Sequence, residues 1–183
     1  MEEMIDAGLV DGVYDVTPGE LTQYIVRGMF SAGPDRMTAA GRRGIPQVVA
    51  PGGVEFIIAG PIDSLRADYR RRQIMSHTPS ITLVRASIEE MEAVGRVIAE
   101  RLSASLGTSA MILPKHSFGW FSAPGQPLYK PEADRAFIES FKANVAPQVR
   151  VVELDAGFND PCVGETAVAQ MRSMLATNKN ERD

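Results

Sequence analysis

The chain of 183 residues contains a single cysteine, Cys162, and therefore cannot form an internal disulfide. This suits a reducing compartment, so we expect a cytoplasmic protein. No apolar run approaches the ~18 residues of a membrane span. The acidic N-terminus, residues 1–7, lacks the basic residues of a secretory signal. We accordingly expect no membrane partner.

Motifs of several enzyme classes are also missing. The sequence has neither the Gly-x-x-x-x-Gly-Lys-Ser/Thr loop that binds nucleotide phosphates nor the Gly-x-Gly-x-x-Gly turn of dinucleotide-binding domains. A Gly-x-Ser-x-Gly elbow is absent, which weakens a hydrolase interpretation of Ser117. Two widely separated histidines and one cysteine do not supply the ligands of a structural zinc site, and we predict no metal site.

The net charge indicates which partners to exclude. It is −4, whereas a general nucleic-acid binder needs clustered Lys and Arg, so we expect no nucleic-acid partner. One basic run exists, residues 70–72, and we interpret it as a solvated face rather than a phosphate clamp. The hydrophobic share of 44% and the charged share of 23% are those of an ordinary globular protein.

Short β-rich runs alternate with helical runs, which predicts an α/β fold. We expect a Rossmann-like, three-layer domain with a mostly parallel sheet of about five strands. Several strands are almost continuously apolar, which is typical of strands covered on both faces. We assign residues 1–176 to this single lobe and residues 177–183 to a polar tail. The predicted strands are residues 12–16, 47–50, 80–85, 109–113 and 150–154.

Capping boxes predict the starts of two helices, at Thr17–Glu20 and Ser87–Glu90. Further helices are predicted from residue 131 to about residue 145 and from about residue 161 onward. Residues 1–7 form a short amphipathic helix with no strand before it. In an α/β fold such a helix normally follows a strand. We therefore expect the chain to be one half of a larger, two-lobed protein.

Two stretches, residues 52–78 and 117–130, interrupt the alternation. Connections of this length in a compact domain are usually lids, binding loops or contact surfaces.

The residues that follow the strands are candidates for a binding site, because open α/β sheets bind ligands beyond the carboxyl ends of their strands. Pro51-Gly52-Gly53 follows the second strand and is either an anion cradle or a plain tight turn. Lys115 and His116 follow the fourth strand. They can hold a phosphate or carboxylate and move a proton, or they are an ordinary exposed loop pair.

Two more segments allow either a structural role or a role in ligand binding. Asn159-Asp160 precedes Pro161 as a helix N-cap, with a second role in ligand binding left open. Between residues 31 and 36, Gly33 ends one helix and Pro34 opens the next, or an anion binds at that new N-terminus with Arg36 as its partner. The candidate catalytic residues are Lys115, His116 and Asp160. The candidate ligand-binding residues are Gly33, Asp35, Arg36, Pro51, Gly52, Gly53, Lys115, Asn159 and Asp160.

Several blocks along nearly the whole chain carry a family resemblance. They are residues 17–21, 28–36, 39–41, 44–52, 80–85, 113–114, 123–125, 129, 131–134 and 159–161. These blocks resemble a largely uncharacterised bacterial and fungal family with a plant relative, the tomato tobamovirus-resistance protein; we call it the Tm-one-like family. The resemblance implies two Rossmann-like lobes, of which this chain is similar to the C-terminal one. It also implies that ATP is bound chiefly by the N-terminal lobe, so ATP is a possible ligand only when that lobe is present.

Three functions remain as hypotheses, in this order. The first is the ligand-binding lobe of a nucleotide-binding protein, which holds a phosphorylated or carboxylated small molecule with an N-terminal lobe or separate subunit as its partner. The second is an interaction module that forms a homodimer through an exposed sheet position. The third is an enzyme acting on a small anionic metabolite, with Lys115 or His116 as acid or base.

Overall fold

The computed structural model describes residues 1–180 and contains two sheets. None of the helices in this range has the length and apolar character that crossing a bilayer requires. The strands are β1 Val13–Asp15, β2 Gln47–Val49, β3 Phe56–Ala59, β4 Ile74–Thr78, β5 Ile81–Arg85, β6 Ser109–Pro114 and β7 Arg150–Leu154. The helices are α1 Glu2–Asp6, α2 Gly19–Val26, α3 Ala39–Arg43, α4 Ile88–Ser103, α5 Pro131–Asn144 and α6 Pro161–Asn180.

The larger sheet has four parallel strands in the order β1-β2-β6-β7. Every residue of β2 and β6 is buried, because helices cover both faces of these central strands. Successive side chains of a strand point to opposite faces. Val49, Met111 and Leu113 therefore pack in one core cluster with residues of α2, α4 and α5. Val48 and Ile112 pack on the other face against α6.

The prediction of about five strands in this sheet is wrong, because residues 80–85 belong elsewhere. Strand β5 is the centre of a three-stranded antiparallel sheet, in the order β3-β5-β4. Both of its partners come from residues 52–78, the segment predicted to be a long connection. The buried apolar run in β5 is typical of any strand covered on both faces, so it does not reveal the sheet to which the strand belongs.

One of the two predicted capping boxes is confirmed. The Ser87 side chain accepts a hydrogen bond from the Glu90 N–H, and the Glu90 carboxylate accepts one from the Ser87 N–H. The other box is wrong: Pro18 occupies the N-cap of α2 without a side-chain hydrogen bond. The Glu20 carboxylate that would complete that box accepts instead from Arg36, at 3.3 Å.

The short N-terminal helix and the two C-terminal helices form as predicted. Ile5 of α1 is buried in a small cluster with Ala39 and Ala40 of α3. Helix α5 buries Phe137 and Phe141 in the main core. Helix α6 continues to Asn180 and so includes part of the predicted polar tail, whereas residues 181–183 lie outside the described range.

Candidate functional site

The loops after β2, β6 and β7 lie side by side, because these strands are neighbours in the parallel sheet. The last residues of β6 and β7, Pro114 and Leu154, are paired, so both loops begin at the same level. The Lys115 N–H donates to the Leu154 carbonyl at 3.0 Å, and the Phe158 N–H donates to the Ser117 carbonyl at 3.0 Å. We call residues 51–53, 115–117 and 155–160 the sheet rim.

The exposed side chains of Lys115 and His116 stand on the rim, together with exposed carboxylates. The Nε2 atom of His116 lies 3.0 Å from Oδ1 of Asp155, and both side chains are more than half exposed. The Nζ atom of Lys115 lies 3.8 Å from a carboxylate oxygen of Glu153. A carboxylate that binds one nitrogen of an imidazole orients the ring, which is the arrangement of a proton-transferring histidine. The rim therefore presents a cation and an oriented imidazole to solvent.

Gly52 is a packing residue of this rim. Its N–H donates to the Val16 carbonyl at 3.0 Å. A Cβ atom at this position would lie 2.4 Å from the Val16 oxygen and 2.5 Å from the Phe158 ring. The contact with Phe158, the residue before Asn159, places Gly52 on the same edge of the sheet as Lys115. Because the Gly52 N–H is already bonded, the geometry favours the tight-turn alternative for Gly52 over the anion cradle.

The replacement Gly52→Ala should lower the free energy of unfolding by about 3 kcal/mol, since a Cβ would overlap backbone as well as a ring. Gly164→Ala is the matched control, because no atom of the described residues lies within 4 Å of a Cβ at that helical position. Alanine is the better helix former, so the control should gain up to about 1 kcal/mol. Urea denaturation measures the free energy of unfolding of both variants. Equal midpoints for Gly52→Ala and the wild type would contradict the close packing.

The Asn159-Asp160 pair stands where α6 begins. Oδ2 of Asp160 accepts a hydrogen bond from the Gly157 N–H at 2.8 Å, and α6 starts at the next residue, Pro161. Asp160 thus holds the turn that connects β7 to α6. Asn159 is exposed on that turn and presents its amide to solvent, whereas Pro51 of the neighbouring loop is buried.

The helix predicted to open at Pro34 is absent. Helix α2 ends at Val26, α3 begins only at Ala39, and turns occupy the sequence around Pro34. Gly33 has a φ of 81° and donates to the Ser31 hydroxyl at 3.1 Å, so it shapes a loop instead of ending a helix. The predicted anion site that includes Gly33 and Asp35 therefore lacks its helix N-terminus.

The guanidinium of Arg36 forms ion pairs with carboxylates of its own chain. It is 7% exposed and forms a two-pronged ion pair with Asp15, the last residue of β1. Glu20 and Glu2 lie 3.3 Å and 3.4 Å from the same guanidinium. These carboxylates raise the pKa of Arg36, although its burial acts in the opposite direction and is the largest influence. Surrounded by three acids, Arg36 presents no surplus charge to an anion.

Sequence reasoning did not single out a buried polar cluster beside the rim. Arg85 at the end of β5 donates to the Glu55 carbonyl, to the Lys130 carbonyl at 3.2 Å and to the Asp134 carboxylate. The Ser122 hydroxyl donates to Oε1 of Glu55 at 3.1 Å. Glu55 lies two residues after Gly53, and an acidic residue this close to a Gly-Gly turn was the sequence signal that could have pointed to the cluster. The cluster ties the antiparallel sheet to α5 and to the loop at residues 117–130.

Three polar atoms of this cluster are buried without a hydrogen-bond partner in the described residues: Oε2 of Glu55, Nε of Arg85 and Oδ2 of Asp134. Burial raises the pKa of Glu55 to about 7. Burial also raises the pKa of Asp134, to about 6, against the opposing charge of Arg85. Within the described part of the chain, no group of three or more His, Cys, Asp or Glu is placed to hold a metal ion.

Comparison with known proteins identifies a family. The C-terminal domain of an uncharacterised protein family, UPF0261, matches residues 1–175. A UPF0261 protein of Clostridium tetani is 34% identical over 176 residues, which are 96% of this chain and 43% of the relative. A UPF0261 protein of Rhizobium meliloti is 30% identical over 176 residues, with 95% of this chain and 44% of the relative covered.

A plant protein shares part of this similarity. The ToMV resistance protein Tm-1(GCR237) of Solanum lycopersicum is 29% identical over 133 residues, 73% of this chain and 18% of that protein. The predicted relationship to the tomato resistance protein is thus confirmed, whereas ATP binding stays a prediction. The chain spans less than half the length of the relatives it matches. It belongs to the UPF0261 family and corresponds to the C-terminal domain of that family.

Proposed function

We propose that the chain is a Rossmann-like, ligand-binding lobe of a two-lobed protein, and that it holds a phosphorylated or carboxylated small molecule at the sheet rim. The observation that carries the proposal is the adjacency of three loops at the carboxyl end of one parallel sheet, with Lys115 and His116 exposed among them. Open parallel sheets bind ligands at this edge.

The rim offers the groups that an anion requires. Lys115 supplies a positive charge and three N–H donors. His116, oriented by Asp155, supplies a further ring donor when it is protonated. The twenty-residue helix α6 directs its N-terminus toward the same turn, and the helix dipole favours negative charge there. The exposed Asn159 amide adds a neutral donor.

A second lobe supports the ligand from the other side in this proposal. Relatives such as the Clostridium tetani protein are more than twice as long as the segment matched by this chain. ATP is then a ligand of the whole two-lobed protein and not of this lobe alone. The partner is the N-terminal lobe or a separate subunit that corresponds to it.

An NMR titration tests the binding site. Inorganic phosphate added to the ¹⁵N-labelled chain should shift amide signals at residues 115–117 and 155–160. The double replacement Lys115→Gln with His116→Gln should weaken binding about tenfold or more, because charge-assisted hydrogen bonds are lost. Arg96→Gln, an exposed cation on α4, is the control and should leave the affinity unchanged. Equal affinities for wild type and double variant would remove the rim as the site.

Calorimetry with ATP tests the requirement for a second lobe. The isolated chain should bind ATP no more tightly than inorganic phosphate, whereas the full-length Clostridium tetani relative should bind ATP much more tightly. Tight binding of ATP by the isolated chain would contradict that requirement.

The alternative functions stay predictions, as does the cytoplasmic location. If the chain forms a homodimer through a sheet edge, β1 and β7 are two candidate strands for the contact, because they are the outer strands of the parallel sheet. If the chain is an enzyme that acts on a small anionic metabolite, His116 and Asp155 are the candidate pair for proton transfer.

A further inference from the structure

A cavity of about 580 Å³ lies beside the rim, between α5 and strand β7. Cavities of roughly 300–1,000 Å³ are the usual size of small-molecule sites. Lys115 belongs to both the rim and the cavity, so the two are continuous. The lining residues are Lys115, Pro131, Arg135, Ile138, Glu139, Lys142 and Glu153, and we call this cavity the α5 pocket.

The α5 pocket contains more cations than carboxylates, whereas several other cations of this acidic chain are paired one to one with a carboxylate or outnumbered by carboxylates. Outside it, Arg42, Arg66 and Arg72 each lie within 3 Å of a carboxylate oxygen, and Arg36 is near three acids. In the pocket, three cations are accompanied by two carboxylates. A local surplus of positive charge in a protein of net charge −4 is where an anion is drawn.

Glu153 indicates the kind of group that fits between these cations. Its carboxylate lies 3.8 Å from Nζ of Lys115 through one oxygen and contacts Nζ of Lys142 through the other, at 2.5 Å. The hydrogen bond from Lys142 is the main cause that holds the pKa of Glu153 below its usual range. An oxyanion is therefore already accommodated between two lysines, and Arg135 stands on the wall without a carboxylate within 4.0 Å among the described residues.

We propose that the α5 pocket binds an organic monophosphate or carboxylate, with the anionic group held by Lys115, Arg135 and Lys142 and the apolar body against Ile138 and Pro131. This inference rests on the proposed function, because Lys115 serves both sites and the ligand extends from the rim into the pocket. Glu153 then acts as an internal competitor that the ligand displaces from the lysines.

Phenyl phosphate is a suitable probe, because it combines a dianion with an apolar ring. It should bind about tenfold more tightly than inorganic phosphate, since burial of the ring against Ile138 and Pro131 adds apolar contact. Glu153→Gln should raise the affinity for phenyl phosphate several-fold by removing the competing carboxylate. Arg135→Gln with Lys142→Gln should lower that affinity about tenfold. Arg96→Gln is again the control, because it removes an exposed cation that does not line the pocket, and NMR titration measures each affinity.

The outcomes separate the pocket from the rim. If the Arg135/Lys142 double variant binds phenyl phosphate as tightly as the Arg96→Gln control, the pocket is overturned while a rim site that depends on His116 stands. If the double variant loses binding and His116→Gln does not, the pocket stands and the rim proposal falls. Absence of any saturable binding of phenyl phosphate or inorganic phosphate overturns both.

Discussion

Replacement of Arg36 by methionine should lower the free energy of unfolding by about 3–5 kcal/mol, because it leaves a buried carboxylate without its cation. The Asp15 side chain is 7% exposed and depends on Arg36 for charge compensation. Methionine keeps much of the length of the arginine side chain, so lost packing contributes little. Urea denaturation at neutral pH measures the loss, and the effect is expected on stability whether or not a ligand is present.

Two further variants identify the cause of that loss. Arg42→Met removes a cation whose partner, Asp6, is about half exposed, and should cost less than about 1 kcal/mol. Adding Asp15→Leu to Arg36→Met should restore a large part of the stability, because the unpaired charge is then removed as well. Equal losses for Arg42→Met and Arg36→Met would contradict the assignment of Arg36 to a buried ion-pair network.

The parallel sheet could be predicted because the local sequence of its strands and of the helices between them shows what they form. Strands β2 and β6 are short apolar runs between turn residues, and the capping box at Ser87 and the proline at position 131 start helices at the expected places. The antiparallel sheet could not be predicted in the same way. Its strands β3 and β4 lie on either side of a charged stretch, residues 63–72, and nothing in either run shows that both pair with β5.

The rim could be placed from the sequence because topology determines it: loops after neighbouring parallel strands meet at one edge. The role of Arg36 could not be predicted from the sequence. Its partner Asp15 is 21 residues away, and the sequence around a charged loop residue does not show that the residue is buried. The same holds for Arg85 and Asp134, which are 49 residues apart. Ion pairs of this kind follow from the tertiary fold and leave no local pattern.

The pH dependence of stability should reveal the buried cluster around Glu55. Its pKa of about 7 in the folded protein exceeds that of an unfolded glutamate, which is about 4.3. Between these values the folded state binds the proton more tightly than the unfolded state, so the contribution of Glu55 to stability is greatest at low pH and is lost as the pH rises to about 7. Asp134, with a pKa of about 6, acts in the same direction.

Glu55→Gln should therefore stabilise the protein by about 3 kcal/mol at pH 8 and by less than about 1 kcal/mol at pH 5. The amide is neutral at every pH and retains an oxygen that can accept from Ser122, while the pH dependence due to Asp134 persists. Thermal or urea unfolding from pH 5 to pH 8 measures the difference, and Glu92→Gln, an exposed position on α4, is the control. A stability that rises with pH in the wild type, or a loss of stability in Glu55→Gln at pH 8, would show that Glu55 is ionised and favourably paired. The unpartnered Oε2 atom of Glu55 argues for the opposite result, because a buried carboxylate oxygen without a donor favours the protonated acid.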